Sequence, residues 1–130
     1  MTYTPDIWIF VEIYNPASSE ITYKVLAGWY GGFARGSNWR LNSGITEIIE
    51  HEEYYEVLGA SGSSYKCYKN CNFTGSPTDY VLQDLMQNKH GYKVHVVQYH
   101  EIRPDVVTKR NQNETNQSNQ PNEYEGNQPR

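Results

Sequence analysis

Residues 28–44, GWYGGFARGSNWRLNSG, hold five glycines, two tryptophans and two arginines, with no acidic residue among them. Glycines let a backbone take positive φ and leave its amides open, so such a loop can cradle an anion, with Arg35 and Arg40 adding charge. Trp29, Tyr30, Phe33 and Trp39 offer flat faces on which a base or another planar group stacks. The plainer account is a long hairpin connection whose glycines only turn the chain and whose tryptophans belong to the core. A second polar stretch, GASGSSY at 59–65, also sits between two strand patterns. It lacks the G-x-S-x-G spacing and the strand-turn-helix context of a nucleophilic serine, but its hydroxyls and amides suit a polar or anionic ligand. If 38–50 is one strand, the loops at 31–37 and 59–63 share an end of the meander; if the NSG at 42–44 is a turn, it meets 59–63 instead. Either way the two stretches converge, and the candidate binding residues are Trp29, Tyr30, Arg35, Trp39, Arg40, Ser43, Ser61 and Ser63.

Other reactive side chains form weaker patterns. ITEIIEHEEYYE carries Glu47, Glu50, Glu52, Glu53 and Glu56 around His51. Paired carboxylates can do acid–base work or hold a cation, yet a charge run of this kind is ordinarily a solvated hairpin. Cys67 and Cys71 are the only cysteines, and their C-x3-C spacing puts them about 13 Å apart on a strand, too far for a disulfide unless the chain turns at Asn70. A zinc site would need further ligands, and His90, His95 and His100 follow at a spacing that matches no zinc frame. His95 and His100, five apart, point to opposite faces of a strand. The expectation is no metal, no cofactor and no catalytic residue. The sequons at Asn72, Asn113 and Asn116 are read as unglycosylated.

The elements that must position these residues follow from composition and pattern. A chain of 130 residues holds one domain, and 12 Tyr and 3 Trp promise an aromatic-rich core despite only 37% hydrophobic content. A net charge of −4 argues against a general nucleic-acid coat, whose affinity comes from clustered Lys and Arg. The start MTYTPDIWIF has no signal-peptide pattern, and no apolar run approaches a membrane span, so a cytoplasmic location is expected. From Lys109 the composition turns polar, and ten of the last 20 residues are Asn or Gln. Such a segment buries too little apolar surface to offset its entropy, so 1–108 is expected to fold and 109–130 to be a disordered tail.

DIWIFVEIY, residues 6–14, is apolar on both faces and reads as a central strand. EITYKVLAGWY gives a second strand, Trp39 and Leu41 start a third, Ile45 to Ile49 continue or replace it, and YYEVLG, SYKCYK and YKVHVVQYHEI supply the rest. In SPTDYVLQDLMQNKHG, Ser76 reads as the N-cap, Pro77 suits the first turn, Asp79 favours the positive end of the dipole, and Gly91 suits the left-handed stop. Val81, Leu82, Leu85 and Met86 form its buried stripe. The expected fold is α+β: a single domain with a twisted, mostly antiparallel sheet of five to six strands and one helix, about 77–89, packed on one face.

The succession VLAGWYGGF, SNWRLNSGI and SGSSYKCYKN, within residues 25–71, resembles a group of small, uncharacterised proteins of large tailed bacteriophages that carry GWYGG, W-R-x-N-S-G-I and S-G-S-x-Y-x-C segments in that order. The group has no assigned activity, so the resemblance implies only a context: a phage product in the host cytoplasm, where such proteins often bind host enzymes or defence components. The function expected is therefore a small non-enzymatic protein that binds a host protein. The alternative is a binding site for a nucleotide or other planar anion between the Gly/Trp/Arg and Ser-rich loops.

Overall fold

Neither face of Ile7–Asn15 can be left in water, because Ile7, Ile9, Val11 and Ile13 point one way and Trp8 and Phe10 the other. The computed structural model, which describes residues 1–31, 38–87 and 90–112, gives this strand, β2, a neighbour on each edge and a layer on each face. β3 (Glu20–Gly28) pairs antiparallel along all of β2, from Ile7 opposite Gly28 to Asn15 opposite Glu20. β8 (Lys93–Val97) pairs on the other edge, and β4 (Trp39–Leu41) adds to β3, so the order of this sheet is β4-β3-β2-β8.

One face of that sheet presents Trp8, Phe10, Tyr23, Val25 and Ala27 to a second sheet. There β5 (Ile45–Glu50), β6 (Tyr54–Gly59) and β7 (Ser64–Tyr68) form an antiparallel meander that answers with Ile45, Ile48, Val57, Tyr65 and Cys67. Two short strands extend it by parallel pairing: β1 (Thr2–Tyr3) beside β7 and β9 (Thr108–Asn111) beside β5. The fully buried Trp8 also joins the sheets through a polar contact, its Nε1 donating to the Tyr68 carbonyl at 2.7 Å.

The opposite face of the first sheet carries Ile9, Val11, Leu26 and Val94, covered by Val81, Leu82 and Leu85 of α1 (Ser76–Met86). The α+β class, the single domain and the helix packed on a sheet are as expected. The strands, however, divide between two sheets rather than one. The division happens at Asn42–Gly44. The Asn42 backbone N–H donates to the Val25 carbonyl and its side-chain Oδ1 accepts from the Val25 N–H, so the side chain takes the place of the next strand residue. Gly44, at φ 142°, then carries the chain out of the first sheet and into β5 of the second.

Three local expectations are corrected. Gly75, not Ser76, caps α1, its N–H donating to Thr78 Oγ1 at 3.3 Å and its carbonyl accepting from the Thr78 and Asp79 amides. The helix stops at Met86, which is 49% exposed instead of buried, and Gly91 takes its positive φ in the turn beyond; Asn88 and Lys89 lie outside the described residues. The fold also runs past residue 108: Lys109–Asn111 belong to β9, where pairing to β5, an Arg110–Glu47 ion pair and a Lys109 Nζ bond to the Tyr99 carbonyl hold polar residues that composition assigned to a tail. Residues 113–130 lie outside the described residues.

Gly28 is where the helix layer sits closest on the sheet. A Cβ there would lie 2.8 Å from Thr78 Cγ2 and 3.2 Å from side-chain atoms of Ile7 and Pro77, all three buried. Gly28→Ala is expected to lower the unfolding free energy by about 1–3 kcal/mol, as overpacking does, read as a lower urea midpoint with an unchanged m-value.

Candidate functional site

β4 is the edge strand that carries Trp39 and Arg40, and its register decides where each points. Arg40 lies opposite Ala27, on the face toward the second sheet, and Trp39 lies opposite Gly28, on the helix side. The Trp29 amide donates to the Asn38 carbonyl at 2.9 Å and closes the pairing at that end; Arg35 lies outside the described residues.

Arg40 closes the gap between two edge strands. Its guanidinium carbon sits 4.4 Å from the centroid of the Tyr3 ring, and its Nε donates to Tyr65 Oη at 3.3 Å. That hydrogen bond outweighs desolvation and holds the Arg40 pKa above its ordinary value. Tyr3 in turn stacks on Tyr65 at 5.1 Å and meets Trp29 edge-on at 6.2 Å, while Trp29 Nε1 donates to the Thr4 carbonyl. Trp29 and Arg40 therefore tie β1 and β7 to the β3–β4 hairpin. A cation over an exposed aromatic face contributes about 0.5–1 kcal/mol.

The serine turn meets Asn42–Gly44, as the turn reading of NSG requires. The Ser61 amide donates to Ser43 Oγ at 3.0 Å and the Ala60 amide to the Gly44 carbonyl at 2.8 Å. Ser63 closes its own turn by accepting from the Gly59 amide. The two stretches converge, but the arginine, the Ser43 hydroxyl and the Ser61 amide are used within the fold rather than aimed at an open cleft. Behind them Asn42 is 4% exposed and its Nδ2 has no hydrogen-bond partner; a Cβ on Gly59 would approach it to 3.0 Å.

Tyr30 and Trp39 behave differently, being 57% and 37% exposed. Tyr30 is fixed by its amide, which donates to Asp6 Oδ2 at 2.9 Å, and its hydroxyl lies against Gly75 at the start of α1. Phe73, two residues before that cap, is 48% exposed, and Tyr80, in the second turn of α1, is 78% exposed. Trp39 pairs with the glycine on which Pro77 and Thr78 rest. Four exposed aromatic residues thus surround the first turns of α1. Sequence reasoning singled out two and missed Phe73 and Tyr80, although Tyr80 carried a readable signal: it is aromatic and falls off the Val81, Leu82, Leu85 stripe.

Three of the five glutamates around His51, and His51 itself, have structural partners. Glu50 pairs with Lys69 at 2.7 Å, His51 with Glu56 at 3.2 Å, and Glu47 with Arg110. Among the described residues no three of His, Cys, Asp and Glu are grouped so as to hold a metal ion, and no helix is long and apolar enough to cross a membrane. His95 on β8 and His100 in the 3₁₀ turn Tyr99–Glu101 are both exposed. Cys67 and Cys71 are free thiols, Cys67 buried in the inter-sheet core and Cys71 partly buried. Comparison with known proteins finds no matching family model, no matching curated protein and no matching solved structure.

Burial pushes the Cys67 thiol far above its ordinary range, and burial also raises the phenols of Tyr23, helped by its bond to Glu12, and Tyr55, helped by Glu50. All three are acids whose neutral form the fold favours, so their contribution is whole below the unfolded pKa and is lost as pH rises toward the folded one. Unfolding free energy is expected to fall from about pH 8.5 upward, with Cys67 alone contributing a slope of about 1.4 kcal/mol per pH unit. Urea titrations between pH 7 and 10 check this, and Cys67→Ala should remove the onset near pH 8.5.

Proposed function

We propose that this chain is a non-enzymatic binding protein that docks a partner protein against the aromatic rim around the first turns of α1. The observation that carries the reading is the exposure of Tyr30, Trp39, Phe73 and Tyr80 on one neighbourhood of a folded scaffold. Aromatic side chains lose little conformational entropy on binding and dominate the energetics of protein interfaces. Their positions are held by the fold: Trp39 by strand pairing, Tyr30 by its amide bond to Asp6, and Tyr80 by the helix. The resemblance of the GWYGG, W-R-x-N-S-G-I and S-G-S-x-Y-x-C segments to phage proteins is what supports a bacterial host protein as the partner and the host cytoplasm as the site of action.

A nucleotide held between residues 28–44 and 59–65 draws less support from the same geometry. It would have to displace Arg40 from Tyr3 and Tyr65, and Ser43 from the Ser61 amide.

Affinity capture from bacterial lysate tests the reading with the wild type, Trp39→Ser, Tyr80→Ser and Val106→Ser, a substitution at an exposed valine in the loop before β9. A host protein retained by the wild type and Val106→Ser but lost from both rim variants is the expected result. Losing one central aromatic of an interface weakens binding by about 2 kcal/mol or more, roughly thirtyfold. Identical partner sets for the rim variants and the wild type would remove the rim from the account.

A further inference from the structure

The helix layer is too short for the sheet it covers. Nine-residue strands such as β2 and β3 run about 30 Å, whereas the eleven residues of α1 span about 16 Å. Because α1 begins over Gly28, its last turn, at Leu85, stops short of the far end of the face. The uncovered end is a groove of about 410 Å³, at the opposite end of α1 from the aromatic rim. Ile13, Thr22 and Leu41 form its floor, Leu85 one wall, and Tyr92, placed by the positive φ of Gly91, its rim. That volume lies within the roughly 300–1,000 Å³ of small-molecule sites.

The groove has one feature that a simple gap in the packing lacks. Lys24 shares this face of β3 with Thr22 and Leu26, is partly buried, and makes no ion pair among the described residues. Glu20 also borders the groove, but it is exposed at the start of β3, four residues or about 13 Å along the strand from Lys24. A partly buried ammonium above an apolar floor is stabilised by an anion that reaches it. Lys24 is the only lysine or arginine among the described residues that line the groove, with an exposed His90 and Glu20 at its border, and a single ammonium suits a monoanion rather than a phosphate dianion.

We propose that this groove binds a small amphipathic monocarboxylate, on the scale of a medium-chain fatty acid, with the carboxylate on Lys24 and the Thr22 hydroxyl and the chain along Ile13, Leu41 and Leu85. The assignment is independent of the aromatic rim and stands or falls separately from it.

NMR titration of the full chain with decanoate, decanol and acetate tests it. Decanoate is expected to give saturable shifts centred on the Thr22, Lys24, Leu85 and Tyr92 amides. Decanol, which lacks the charge, and acetate, which lacks the chain, should each bind about tenfold more weakly or worse. Lys24→Gln should weaken decanoate by a similar factor and Lys24→Arg should restore it. Should Lys24→Gln not fold, the decanoate-to-decanol ratio on the wild-type chain decides alone. Equal binding of decanoate and decanol, shifts centred on Tyr30 and Tyr80, or no saturation below the micelle concentration of decanoate would overturn the assignment.

Discussion

Everything in this fold is arranged around a strand that must be covered twice. The Ile7–Asn15 strand is flanked by two strands, and its five residues from Ile7 to Val11 are all buried. Burying Ile9 and Val11 requires α1; burying Trp8 and Phe10 requires the second sheet. At about 25 cal/mol per Å² of apolar surface, each fully covered side chain of this size contributes about 1.5–3 kcal/mol, so losing either layer removes several such contributions together. The three layers are therefore coupled through one strand rather than stacked as independent pieces.

That coupling depends on the chain changing sheets at one point. Asn42 ends pairing with β3 by offering a side-chain oxygen to the Val25 amide, and Gly44 redirects the backbone into β5. The cost is a buried Nδ2 without a partner, a group whose desolvation typically opposes folding by about 1–3 kcal/mol. Around this junction Ser43, Ser61 and Arg40 act as fasteners between the sheets. What first reads as a ligand loop is largely the machinery of a sandwich edge, and the surfaces left open are elsewhere: the aromatic rim at one end of α1 and the Lys24 groove at the other.

Much of the architecture was legible in the sequence for a physical reason: period-2 alternation and its absence report burial directly. The two-faced pattern of DIWIFVEIY identified the central strand, and the Val81, Leu82, Leu85 spacing identified the face of α1. The division into two sheets was not legible, because it hinges on Asn42 substituting a side chain for a backbone group, which no periodicity encodes. β1 and β9 were also hidden: β1 is two residues long, with Tyr3 alone reaching the core, and β9 is a polar strand held by pairing to β5 rather than by apolar residues of its own. At the site, the convergence of the NSG and ASGSS turns was readable from strand lengths. The direction of Arg40 was not, since it depends on register against Ala27 and on Tyr3, a residue 62 positions from the Tyr65 with which it stacks.

Native-state hydrogen exchange, followed residue by residue with increasing urea, tests the central claim most directly. If both layers depend on the Ile7–Asn15 strand, the amides of Ile9 to Ile13 exchange only through global unfolding, and no amide of β5, β6, β7 or α1 keeps protection once they open. Protection in the second sheet that outlasts that of the central strand would contradict the account, because it would mean that the second sheet stands on its own.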